Sequence, residues 1–270
     1  MKISKLVWSV FLCVALLMTL CFNAVASTEP RHALGLIPED INIADIDPAN
    51  DVAVFSSVSL PSSYDLSSSV YFPPIQNQGN VNSCAAFAYG YYQFTYERNR
   101  LNGVPSTLSS TWASPMWIYN TLHSSPISGG GGDGLSQLEV EHLLKYQGAI
   151  SWEDMPYQSS NYDKVLTIND DGAADMLRQA LQTRFSSSST KSISASEGSS
   201  TGYAPKVTSA DDTDLNEVKA LIADQNKILT VGMRDPNVYD AKTATNGEQV
   251  WYRAITTDET QGNHAMVEVG

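Results

Sequence analysis

Cysteine usage limits how this chain can fold more than any other feature. Of three cysteines, Cys13 and Cys21 lie in an apolar N-terminal stretch, and Cys84 alone remains once that stretch is removed. No disulfide can then form within the chain, so the fold must be held by burial and hydrogen bonding. Residues 1–26 read as an export signal. Lys2 and Lys5 come first, an apolar run over 6–22 follows, and Ala24-Val25-Ala26 supplies a small-x-small cleavage site. An uncleaved anchor is the alternative, since the run is nearly long enough to cross a bilayer. Lipid attachment at Cys21 fits less well, because Leu20 is larger than the residue that chemistry prefers. The expected destination is the cell surface or the medium. A lone thiol there is either buried and inert or kept for its reactivity.

A hydrophobic fraction of 42% is enough for a sizeable core in one large domain or two small lobes. The formal net charge is −13, and loss of Lys2 and Lys5 with the signal makes it more negative still. Such a balance disfavours nucleic acid and, after signal cleavage, anionic membrane as partners. No second run of comparable apolarity follows.

Residues 27–58 are polar, acidic and scattered with proline, and read as a pro-segment or linker. Globular sequence begins near Leu60. A helix is predicted over 83–101, capped by Asn82 or Ser83, with Phe87, Tyr91 and Phe94 at helical spacing and Asn102-Gly103 as the stop. A second helix over 115–122 has Ser114 as N-cap and Pro115 at its first position. A glycine cluster over 129–134 suits a loop whose backbone lies close to something. A helix carrying Val140, Leu143 and Leu144 on one face follows, ended by Gly148, and 152–157 reads as extended. Further along come a helix over 172–183, a Ser-rich surface insertion over 185–201, and a helix over 214–225 opened by Asp214 and Glu217. Strands are predicted over 228–233, 250–255 and 265–269. No internal repeat is visible.

The segment Pro74-Ile75-Gln76-Asn77-Gln78-Gly79-Asn80-Val81-Asn82-Ser83-Cys84-Ala85-Ala86-Phe87-Ala88 carries chemistry. It sets a cysteine at the first turn of an apolar helix, with a glutamine six residues earlier. The positive end of a helix favours a thiolate, the attacking form of cysteine. The Cys84 amide and the Gln78 side chain are donors for an oxyanion, and Gly79 permits the turn that brings them together. Near the other end, Gly262-Asn263-His264-Ala265-Met266-Val267-Glu268-Val269-Gly270 places a histidine at a strand start, where it can serve as the base for a thiol nucleophile. A structural histidine is the alternative reading of that position taken by itself. The remaining histidines, His32 in the presumed pro-segment, His123 after a helix and His142 within one, read as surface or core residues.

Gln78-Gly79, Ser83-Cys84 and the Ala-Phe pair after it, together with the His264 strand, resemble the papain family of cysteine peptidases, here of a bacterial secreted type. The resemblance spans about 60–270. It implies an α+β fold of two lobes: a helical lobe over 59–160 and a β-rich, antiparallel barrel-like lobe over 161–270. It implies Cys84 as nucleophile, His264 as base, Gln78 as oxyanion donor, and a substrate-binding set of Gly132, Asp133, Gly134 and Asn263. A flexible turn is the competing reading of the three loop residues. The implied partners are polypeptide substrates, with no metal or organic cofactor. Two family features differ. Val81 stands where a disulfide cysteine is usual, and Ala85 where an aromatic is usual. His264 also lies further from Cys84 than the family's ~130–150 residues, an excess the Ser-rich insertion can supply. The family's third catalytic residue, an Asn followed by Ser-Trp-Gly, would fall beyond Gly270. The stretch therefore reads as C-terminally truncated, with an incomplete barrel, poor stability and weak activity expected. A non-catalytic surface or binding protein that keeps the fold is the alternative. Another Cys/His acyl-transfer enzyme, such as a transglutaminase, fits the residue types but not the Gln-Gly motif.

Overall fold

The computed structural model describes residues 35–37, 60–123, 134–159, 172–184, 212–234, 239–243, 249–253 and 263–270. All belong to one compact unit, Ala33–Gly270. Residues 1–26, read as an export signal, the Ser-rich stretch 185–201, Gly132 and Asp133 lie outside the described residues.

The helix that begins at Cys84 is the centre of the packing. Its first turns widen into a π-helical segment, Ala86–Phe94, and continue as α1, Thr95–Asn102. The sequence pattern predicts a single α-helix here. π segments are rare and recur at functional sites. Gly103, at φ +65°, closes α1 in the left-handed conformation that suits glycine. On the opposite side α2, Pro115–Leu122, presses Ile118 onto Gly90, where a Cβ would overlap the Ile118 Cδ1. The α2 start forms as its residues dictate: Ser114 Oγ accepts from the Trp117 amide at 3.0 Å and Pro115 takes the first position.

α3, Gln137–Tyr146, opens with a capping box. Ser136 Oγ accepts from the Glu139 amide, and the Glu139 carboxylate accepts from the Ser136 amide. Its Val140, Leu143 and Leu144 are buried against the Cys84 helix and α2, as their spacing predicts. α4, Ala173–Leu181, adds Ala180 to the same core. α5, Asp212–Ala223, begins two residues before the predicted cap. Residues 152–157 depart from the extended reading. Ser151 Oγ accepts from the Asp154 amide and donates to its carboxylate at 2.6 Å, and the Met155 amide donates to the Ser151 carbonyl, so the chain turns at once.

Four strands form one sheet in the order β2-β1-β6-β3: β1 is Leu36–Ile37, β2 Leu135–Ser136, β3 Leu229–Arg234 and β6 Asn263–Glu268. β6 runs antiparallel to β3, from Leu229 opposite Glu268 to Arg234 opposite Asn263. A separate antiparallel pair joins β4, Tyr239–Thr243, to β5, Gln249–Arg253. β4 was not anticipated, although Tyr239, Ala241 and Thr243 alternating with Asp240 and Lys242 form a period-2 pattern.

Helices and sheet share two apolar clusters. The larger surrounds the Cys84 helix and includes Ala265 of β6. The smaller gathers Leu66, Phe72, Tyr96, Ile222 and Ile228, and Val267 of β6 packs against both. Hydrogen bonds join distant stretches around the second cluster, from the Leu66 amide to the Val269 carbonyl, the Tyr96 hydroxyl to the Asn226 carbonyl, and the Gln93 side chain to the Ile228 carbonyl. Among the described residues no helix is long and apolar enough to cross a membrane.

Candidate active site

Cys84 sits in the first helical turn, between Val81 and Ala85, which are fully buried, and is itself only 1% exposed. The amide of Ala265, the residue after His264, donates to its sulfur at 3.4 Å. The N-terminal half of β6 thus lies directly against the start of the Cys84 helix. His264 is half-buried and lies opposite Met233 of β3. The strand that carries His264 is therefore brought beside Cys84, 181 residues away from the contacting Ala265.

Two influences on the Cys84 thiol oppose each other. Burial raises its pKa, because a thiolate loses hydration there, while backbone donors of Ala265, Gly35, Ala85 and Cys84 itself pull it back. Burial prevails, and the net direction is upward. The helix start alone predicts the reverse. The physical reason is that the sulfur is buried in the packed core, which outweighs the four donors; one of these, Gly35, comes from the segment read as pro-segment or linker.

Gln78 is 8% exposed, in the loop before the helix. Its side-chain Nε2 donates to the Val81 carbonyl at 3.1 Å. Gly79 makes the expected left-handed turn at φ +63°, and its amide is held by the Asn77 side chain at 2.7 Å. Tyr157 fixes this loop onto the helix. Its hydroxyl donates to the Gln78 carbonyl at 2.7 Å and meets Ser83 Oγ at 2.6 Å, and its ring stands edge-on to Phe87 with centroids 4.7 Å apart. Burial pushes the Tyr157 pKa up to about 12, so the hydroxyl remains a donor throughout the ordinary pH range. Sequence reasoning placed Tyr157 only at the end of a stretch read as extended, since nothing in the local pattern tells that the phenol ties the Gln78 loop to the helix start.

Of the residues expected to bind substrate, Gly134 and Asn263 are described. Both border β1. A Cβ on Gly134 would overlap the Gly35 carbonyl, and Asn263 lies opposite Leu36 in register. The structure thus brings Cys84, Gln78, Gly134 and the His264 strand to one place. His123 instead stacks on Tyr119 within the helical core, at 5.0 Å between centroids, and His142 lies near Tyr146. Among the described residues no group of three or more His, Cys, Asp or Glu is arranged to hold a metal ion.

No protein family model matches the chain. No curated protein matches it either. Among solved structures it is similar to xylellain, a cysteine protease from Xylella fastidiosa, with a TM-score of 0.56 at 16% identity, over 88% of this chain and 79% of that one. At that identity the likeness concerns architecture, and it establishes that this α+β chain shares the fold of a cysteine protease.

Proposed function

We propose that this chain is a secreted cysteine endopeptidase of the papain-like type, acting on polypeptides. The observation that carries the proposal is the contact between the Cys84 sulfur and the amide following His264, in a chain with the fold of a cysteine protease. The Cys84 thiolate attacks a peptide carbonyl carbon, and the carbonyl electrons move onto oxygen. The Cys84 amide, with Gln78 swung off the Val81 carbonyl, donates to that oxyanion. Protonated His264 gives its proton to the departing amine as the C–N bond breaks, leaving a thioester on Cys84. Water, deprotonated by His264, then releases the acid. Gly134 and Asn263 flank the peptide, in a cleft between a helical lobe and a barrel-like lobe. Residues 1–26 direct export and are removed.

The experiment is hydrolysis of a fluorescent, unfolded protein substrate. Cys84→Ala and His264→Ala are each expected to abolish it, and full activity in either variant would refute the reading. The burial of Cys84 and its raised pKa favour a second reading, a non-catalytic protein that keeps the fold. A thiol-directed epoxide separates the two, since it labels a catalytic thiolate at mildly acidic pH and leaves an inert core thiol untouched.

A further inference from the structure

The Val81 carbonyl is claimed by more donors than it can hold. A carbonyl oxygen has two lone pairs. The Ser83 amide donates to this one at 2.7 Å and fills one place. Two side chains compete for the other, the Gln78 Nε2 at 3.1 Å and the Ser83 hydroxyl at 3.4 Å. Gln78 holds the shorter bond, and its amide is parked there rather than offered to an oxyanion.

The same serine meets a second hydroxyl. Ser83 Oγ lies 2.6 Å from the Tyr157 hydroxyl, which donates to the backbone carbonyl of Gln78 at 2.7 Å. Each hydroxyl carries one proton, so their bonds change together. While the phenol proton is on the Gln78 carbonyl, Ser83 directs its own to the phenol oxygen, and the second place on Val81 is left to the Gln78 side chain. When Ser83 turns to Val81, the phenol donates to Ser83 Oγ and lets go of the Gln78 carbonyl. One exchange thus releases both the backbone and the side chain of Gln78 from these two bonds, with no proton gained or lost. The pair is enclosed: Ser83 is fully buried, and the Tyr157 ring packs edge-on to Phe87 and beside Trp152. Residues just after Tyr157 keep the loop in place meanwhile. The Asn80 amide donates to the Ser159 carbonyl at 3.3 Å, and a Cβ on Gly79 would overlap the Ser159 side chain.

We infer that Ser83 and Tyr157 are positioning residues for the oxyanion donor, a relay of two hydroxyls that parks Gln78 on the Val81 carbonyl and releases it toward the reacting centre. The inference rests on the peptidase reading above and names what controls one of its donors. Each residue acts through Gln78.

Ser83→Ala and Tyr157→Phe in the full chain test this, each alone and combined with Gln78→Ala. The two changes push the relay in opposite directions. Without the serine hydroxyl nothing displaces Gln78 from Val81, so hydrogen exchange of the Gln78 side-chain amide, followed by NMR, is expected to slow. Without the phenol hydroxyl Ser83 takes Val81 as its acceptor, and the same exchange is expected to quicken, the change being about threefold or more in each case. In hydrolysis of the fluorescent substrate each single change is expected to lower kcat about tenfold with KM little altered, and to have no further effect once Gln78 is alanine. Ser83→Gly, which likewise lacks the hydroxyl, replaces Ser83→Ala if that chain does not melt as a folded protein. Opposite exchange shifts in a chain that shows no hydrolysis even when unaltered uphold the relay and overturn the peptidase reading. Exchange that moves the same way in both variants, as simple loosening of the loop would produce, or that moves in neither, overturns the inference. A kcat loss that persists in full without Gln78 overturns it too.

Discussion

Cys84 and His264 are held by supports of different kinds. Cys84 belongs to a helix start where Val81, Cys84, Ala85 and Ala86 are all essentially inaccessible, packed among α2, α3 and α4. His264 belongs to a strand in which, among residues 264–270, only Ala265 is fully buried. β6 is aligned by β3 along one edge and by the two residues of β1 at its start. The nucleophile is thus fixed by close packing, which tolerates little change, and the base by strand pairing, which can be retuned. Changes on the helix side are expected to cost stability, and changes on the strand side to alter chemistry with little loss of fold.

The largest expected effect separates chemistry from support. Cys84→Ala and His264→Ala should each lower kcat/KM by more than about 10³-fold, while the melting temperature moves little in His264→Ala and falls modestly in Cys84→Ala, whose sulfur is packed in the core. A similar activity loss accompanied by collapse of the fold in His264→Ala would break the comparison, since the strand would then be as structural as the helix. Next comes Gly90→Val. Its new side chain meets Ile118, which is fully buried, so destabilisation of about 1–3 kcal/mol is expected in a denaturant melt. Tyr157→Phe is intermediate in kind. It removes the donor to the Gln78 carbonyl and the partner of Ser83, costing about 1–2 kcal/mol. It should also lower kcat/KM, because the loop that carries Gln78 is no longer tied to the helix.

The smallest effect sharpens the strand side. Burial raises the pKa of Glu268 on β6. The unfolded chain therefore releases this proton at lower pH than the folded chain, and stability falls as pH rises through the carboxylate range. Glu268→Gln should raise the melting temperature slightly at neutral pH and leave it unchanged at about pH 3, where both states are protonated. Equal stabilisation at both pH values would assign the gain to packing instead.

What was legible in the sequence follows the same division. α2 could be read because Ser114 and Pro115 are local signals that act within one turn. The same holds for the cysteine at the helix start and for β6, whose Ala265, Val267 and Val269 alternate toward the core. The meaning of residues 35–37 could not be read. Gly35, Leu36 and Ile37 are too few to show a period, and their pairing comes from β2 and β6, remote in sequence. The upward pKa of Cys84 was hidden too, since a helix start predicts a thiolate and burial among residues remote in sequence reverses it. The 151–154 turn was missed because the aromatic residues around it suggested a strand, whereas Ser151 and Asp154 bond to each other. Gly132 and Asp133, expected to bind substrate, lie outside the described residues.

The most direct measurement of the central claim is the pH profile of Cys84 labelling by a peptidyl epoxide, with and without His264→Ala. The account predicts rapid labelling at about pH 6 that depends on the imidazole, with the variant lacking His264 reacting only as an ordinary thiol does, near pH 8.5 and above. Profiles that coincide in the two chains would show that His264 does nothing to the Cys84 sulfur, and would contradict the assignment of this pair as nucleophile and base.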